Sequence, residues 1–221
     1  MISRTLCGAA AAIALMGAAS SASATTVDFD SLTSVSTGSG TPAASAVLTD
    51  DLANLGVVFG RAGVSAGVAV ISFLSEYVSA PNAIAGLEAD GSFKTFAASD
   101  IYFNFVDPAN SSVAGTTSSV AFDLGDTGGD VDNFLISVYD VKDNLLEARN
   151  VSSSSFSNQV FALAGMHRFH IDFDDLSTAG YFLDNLEFGN VISAIPVPGA
   201  LPLMLSGLAG LGFVGRRRRR G

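Results

Sequence analysis

The chain has 221 residues, 48% of them hydrophobic, with 11 Lys and Arg against 21 Asp and Glu and a net charge of −10. Its single cysteine, Cys7, lies near the first residue, which excludes a disulfide framework and thiol chemistry in the body of the protein. The acidic balance excludes a surface built to neutralise nucleic-acid phosphates.

Residues 1–24 read as a secretory signal peptide. Arg4 supplies the positive start, Gly8 to Ala19 the apolar run, and Ala22-Ser23-Ala24 the small-residue cleavage site, so the mature chain begins near Thr25. Cys7 precedes the apolar run and leaves with the peptide. Residues 25–190 follow, a length that predicts one domain. All 21 acidic residues fall in this segment, against five basic ones (Arg61, Lys94, Lys142, Arg149 and Arg168), a net charge of −16. Such a field favours divalent cations, basic partners or neutral glycans, and serves equally well for solubility alone.

In chain order, Thr33 to Ala46 is small and flexible in composition, and Thr49 to Leu55 reads as one short helix. Ile101, Phe103 and Phe105 alternate with Tyr102 and Asn104, the period of a strand with one face inward. Asn110 to Ser112 reads as a loop. Val120, Phe122 and Leu124 alternate next, and Gly125 to Asp130 forms a loop. Phe134, Ile136 and Val138 begin a hairpin over 134–150 that turns at Asp140 to Asn144. Ser152 to Ser155 is a loop, Phe169, Ile171 and Phe173 alternate again, and Phe182, Leu186 and Phe188 are read as one face of the last strand. About ten such strands predict an all-β fold, an antiparallel β-sandwich of jelly-roll-like form.

Alternation places Asp184 on the same face as Phe182 and Leu186, toward the core. A carboxylate there costs several kcal/mol unless it is bonded or bound to metal. The alternative to metal is an Asp whose oxygens accept backbone N–H groups. Asp126, Asp130 and Asp132 form a glycine-rich acidic loop whose spacing differs from that of an EF-hand, so it reads as a solvated turn. His167 and His170 fall on opposite faces of a strand and do not chelate one ion together. No Gly-x-Ser-x-Gly is present, and a pair of carboxylates among 21 is no sign of a glycosidase. No catalytic residue is assigned. The chain has no tryptophan, leaving Tyr77, Tyr102, Tyr139 and Tyr181 as faces on which a sugar ring would stack.

The C-terminus carries the strongest signal. Ile195-Pro196-Val197-Pro198-Gly199-Ala200 leads into an uncharged stretch ending at Gly215, followed by Arg216, Arg217, Arg218, Arg219 and Arg220. A helix from Ile195 to Gly215 has 21 residues and, at about 1.5 Å per residue, spans roughly the thickness of a bilayer core. Pro202 shortens its regular part. The arginines hold the C-terminus on the cytoplasmic side of the inner membrane. A permanent single-span anchor is the plain alternative. A proline motif, an apolar helix and an arginine cluster within 191–221 resemble the PEP-CTERM class of bacterial sorting signals. The variant named for Val-Pro-Leu-Pro-Ala is the nearest, with Ile195, Val197 and Gly199 departing from it mildly. The resemblance implies an exosortase-type processing peptidase as partner, passage through the inner membrane, and delivery to the cell surface or beyond.

Val27-Asp28-Phe29-Asp30-Ser31-Leu32 and Gly180-Tyr181-Phe182-Leu183-Asp184-Asn185-Leu186 resemble, more loosely, the jelly-roll modules often found beside this signal, among them carbohydrate-binding-like domains. That resemblance implies a structural Ca²⁺ at Asp30 and Asp184, with Asp28 as the alternate, and no other cofactor. The expectation is therefore an exported, non-enzymatic surface or matrix protein that binds exopolysaccharide weakly. An exported hydrolase on the same scaffold is the runner-up.

Overall fold

The computed structural model describes residues 23–37, 39–72, 77–94, 99–173 and 180–194. In chain order its strands are β1 (Thr25–Val27), β2 (Val47–Leu48), β3 (Val57–Phe59), β4 (Gly67–Ile71), β5 (Ala83–Leu87), β6 (Ile101–Asp107) and β7 (Asn110–Thr116). There follow β8 (Val120–Gly125), β9 (Asp132–Tyr139), β10 (Leu145–Ser153), β11 (Ser157–Phe161), β12 (Arg168–Phe173), β13 (Phe182–Phe188) and β14 (Ile192–Ser193). Among the described residues no helix is long and apolar enough to cross a membrane. The signal peptide through Ala22, the sorting motif from Ile195 to Ala200 and the arginines Arg216 to Arg220 lie outside the described residues. Ala24 is exposed just before β1.

The strands form two antiparallel sheets packed face to face, a β-sandwich. The first runs β11-β8-β13-β5-β4-β2, with β1 also on β13; the second runs β10-β9-β12-β6-β7-β14, with β3 also on β6. The predicted alternation produces the shared core: Phe103, Phe105, Phe122, Phe161, Phe169 and Phe188 are all buried between the sheets. Phe103 and Phe169, opposite one another on β6 and β12, stack with centroids 4.7 Å apart. Each buried phenylalanine contributes about 1.5–3 kcal/mol of transfer free energy, so this cluster dominates the stabilisation of the fold.

The β4–β5 part of the first sheet is buried on both faces. Every residue of β4 (GVAVI) and β5 (AIAGL) is buried, and a second apolar layer of Ile71, Ala83, Ala85, Leu87, Phe93 and Phe182 lies on its outer side. Strands covered twice lose alternation and become continuous apolar runs. At the open seam between the sheets, Arg149 of β10 donates to the carbonyl of Val160 on β11 at 3.2 Å, and its guanidinium lies 4.1 Å over Phe161.

Three local expectations are corrected. Thr49 to Leu55 forms only a single 3-10 turn at Ala53–Leu55, closed by Gly56 in the left-handed region at φ 103°. Asn110 to Ser112 opens β7 rather than a loop, because the turn falls at Asp107 to Asn110, where Asp107 accepts the Ala109 N–H. Phe182 and Leu186 lie on opposite faces of β13. The register against β8 slips between Asp184 and Glu187, and Asn185 takes φ 51°, so this bulge reverses the alternation. Phe182 packs in the outer layer while Leu186 and Phe188 enter the shared core. The hairpin turn at Asp140 to Asn144 stands where the sequence puts it, with Asp140 accepting the N–H groups of Lys142 and Asn144.

Candidate functional site

Asp184 is fully buried, as alternation requires, though on the outer side of the first sheet. Its Oδ2 accepts the N–H groups of Val78 and Ser79, each at 2.7 Å, and its Oδ1 accepts the N–H of Asn185 at 2.7 Å and the hydroxyl of Ser79 at 3.0 Å. Burial pushes the carboxyl above its ordinary range, and these donors oppose the push. Asp30 reaches the same segment, accepting the Asn82 N–H at 3.2 Å. The Asn82 amide nitrogen in turn donates to the carbonyls of Phe29, Asp30 and Leu32. Those bonds hold Phe29 at φ 61°, a left-handed conformation that costs of order 1–3 kcal/mol.

Both residues named for calcium therefore converge on residues 77–82, but with N–H donors turned toward Asp184. A donor repels a cation, and calcium takes six to eight oxygens. As arranged, Asp184 offers calcium no free oxygen edge. The geometry is that of a carboxylate tying a loop to the last strand through backbone hydrogen bonds, and the residues present do not fit a metal at this corner.

The acidic loop behaves as a turn with two buried members. Asp126 and Asp132 are buried, and Asp126 Oδ1 accepts the Gly128 N–H at 3.0 Å. A Cβ on Gly128 would stand 2.8 Å from Asp126 Oδ2 and 2.9 Å from Asp130 Oδ1, so a larger residue would have to displace these carboxylates.

The outward face of the second sheet gathers the most polar chemistry. Strand pairing sets side chains in rows: Asn150, Leu135 and Asp172 in one; Ala148, Ser137, His170 and Tyr102 in the next; Tyr139, Arg168 and Asn104 in a third. The first row borders a groove of about 630 Å³ over β9, β10 and β12, where Asn133, Asn150, Ser152 and Asp172 present polar groups beside Leu135. In the second row, Tyr102 and His170 stack at 4.2 Å with planes 8° apart, and Arg61 lies 5.9 Å from the Tyr102 ring. His170 Nε2 is 2.9 Å from Asp100 Oδ2, to which the Tyr102 hydroxyl also donates at 3.3 Å.

Burial works to raise the Asp100 carboxyl, but His170, Lys94 and the N–H of Phe173 outweigh it and hold it below its usual range. Tyr102 is pushed up to about 12, first by burial and then by the Asp100 charge. In the third row Arg168 covers the Tyr139 ring at 4.3 Å. Tyr181 is fully buried and donates to the carbonyls of Ser99 and Ile171. The sequence offered tyrosine faces for sugar stacking; Tyr102, Tyr139 and Tyr181 are instead covered by their neighbours. His167 stands apart from His170, with Nδ1 2.9 Å from the Gly115 carbonyl, as the opposite-face reading requires.

The groove escaped the sequence because its polar members come from three strands and meet only through register. The pairing of His170 with Asp172 on one face was legible from alternation; the arrival of Asp100, 70 residues away, was not.

No protein-family model matches the chain, and no curated protein sequence matches it. Among solved structures, the chain is similar to the CBM22-1 xylan-binding domain from Paenibacillus barcinonensis Xyn10C, with 13% identity, a TM-score of 0.36, and coverage of 63% of this chain and 87% of that one. It is also similar to the isomalto-dextranase of Arthrobacter globiformis T6, complexed with panose, with 12% identity and a TM-score of 0.37, covering 76% of this chain and 32% of that one.

Proposed function

We propose that the protein is an exported, non-enzymatic component of the cell surface or extracellular matrix, with a jelly-roll-like sandwich that binds hydroxyl-rich polysaccharide weakly. The groove over β9, β10 and β12 carries this reading. It is open, and it lines up the amides of Asn133 and Asn150, the hydroxyl of Ser152 and the carboxylate of Asp172 beside an apolar Leu135. Fixed amides and carboxylates donate to and accept from vicinal hydroxyls, while the covered tyrosines supply no stacking platform, so the binding is weak.

Routing rests on the sequence. The signal peptide sends the chain across the inner membrane, and the C-terminal helix holds it there until an exosortase-type peptidase acts near Pro196 and Pro198. A hydrolase needs one carboxyl held protonated beside an ionised one. Asp184 is pushed up, but its oxygens are enclosed by donors, and Asp100 is held down.

Binding is tested by retention of the full chain, in mild detergent, on insoluble and soluble polysaccharides. Asn150→Ala and Asp172→Asn are expected to lose retention while keeping the wild-type melting temperature; retention unchanged in both rejects the groove. Mass spectrometry of the surface protein tests routing. A product lacking the arginine cluster is expected, and an intact Gly221 at the surface supports the permanent anchor instead.

A further inference from the structure

Among the described residues, one group of three His, Cys, Asp or Glu side chains brings its donor atoms within 4.8 Å of one another: Asp100, His170 and Asp172. We propose that these three residues form a binding site for a divalent transition-metal ion, on the outward face of the second sheet. This goes beyond the polysaccharide reading and does not depend on it.

The placement follows from strand geometry. His170 and Asp172 are two apart on β12, so both point outward, while Phe169, Ile171 and Phe173 between and beside them fill the core. Tyr102 on β6 pairs with His170 and Ile101 with Ile171, which brings Asp100 beside Asp172. Two donors lie on β12, and the third, Asp100, directly precedes β6 at the position facing Asp172.

The donors are also oriented before any ion arrives. Stacking on Tyr102 fixes the plane of the His170 ring. The Tyr102 hydroxyl and the Phe173 N–H bond the Asp100 carboxylate. Outer bonds of this kind aim a ligand and sharpen its affinity. His170 Nε2 and Asp100 Oδ2 stand 2.9 Å apart as a hydrogen-bonded pair, and a small spreading would let both reach one tetrahedral ion.

The His170–Asp100 pair uses two of the three donors, and Asp172 adds a third donor atom within the same 4.8 Å. Imidazole with carboxylates selects zinc and its neighbours over calcium and magnesium, which prefer all-oxygen shells. Three protein ligands leave a coordination position open. Asp172 also borders the groove, so the open position lies beside it.

The test is zinc binding by the full chain, stripped with chelator, in competition with a chromophoric chelator. One equivalent of zinc is expected, held in the presence of excess calcium. His170→Ala and Asp172→Asn are each expected to weaken it about tenfold or more, with His167→Ala unchanged. Circular dichroism checks each fold, and His170→Gln replaces His170→Ala if the latter unfolds. No zinc bound by the wild type, equal affinity in the His170 and Asp172 variants, or displacement by equimolar calcium each overturns the site.

Discussion

The two sheets share one core and look outward onto different surroundings. The outer side of the first is roofed by Phe93, Phe182 and neighbouring loops, and a buried carboxylate there, Asp184, is wrapped in N–H donors. The outer side of the second is open, and its carboxylates, Asp100 and Asp172, meet an imidazole and a groove. The same side-chain chemistry therefore does opposite work. Backbone donors filling both oxygens of an acid make it a structural knot; an acid set beside an imidazole and a second carboxylate on an open face is a place for a cation or a hydroxyl.

The largest test of that contrast is Asp184→Ala. It leaves the N–H groups of Val78, Ser79 and Asn185 without their acceptor, and a melting or denaturant curve is expected to show a loss of about 3 kcal/mol. Calcium chelation of the wild type is expected to leave the same curve in place; a large fall would put an ion at the Asp184 corner and erase the distinction between the sheets.

Gly86→Ala comes next. A Cβ at this position of β5 would stand 2.1 Å from the Asp100 carbonyl oxygen and 2.4 Å from that of Ser99, so the bare backbone lets the segment carrying Asp100 settle on the first sheet. The expected cost is about 2 kcal/mol, accompanied by weaker zinc binding, because the two sides are coupled at this contact. A stable Gly86→Ala protein with unaltered zinc affinity would uncouple them.

Leu135→Ala on the open face is expected to change stability by no more than about 0.5 kcal/mol. A melting temperature several degrees lower would mean that this face is covered after all.

The smallest effect concerns the β9–β10 turn. The Asn144 side chain, together with the N–H groups of Asn144 and Lys142, holds the Asp140 carboxyl below its usual range. A lowered folded value contributes stability above the ordinary carboxylate range and loses it as pH falls through the folded value. Asp140→Asn is therefore expected to flatten the acid limb of the stability curve slightly, with no change at neutral pH beyond the loss of the turn bonds.

The sandwich was legible because β6, β8, β9 and β12 each set their core residues at every second position. β4 and β5 were not, since strands covered on both sides carry no period to read. Asp184 was marked as buried correctly, yet its face was misassigned, because a bulge at Asn185 leaves no trace in an apolar pattern. Of the outward-face cluster, His170 and Asp172 were readable as neighbours. Asp100 sits before its strand in a stretch of small residues, and only the register of β6 against β12 delivers it.

Arg149 has a consequence for how copies of the protein meet. β10 is a nine-residue edge strand, paired on one side with β9, and such an edge invites strand addition from a neighbouring copy. By reaching across to the Val160 carbonyl and lying flat on Phe161, Arg149 bends that border onto the protein's own β11 and sets a charge where a foreign strand would dock. A charge so placed disfavours strand addition between copies.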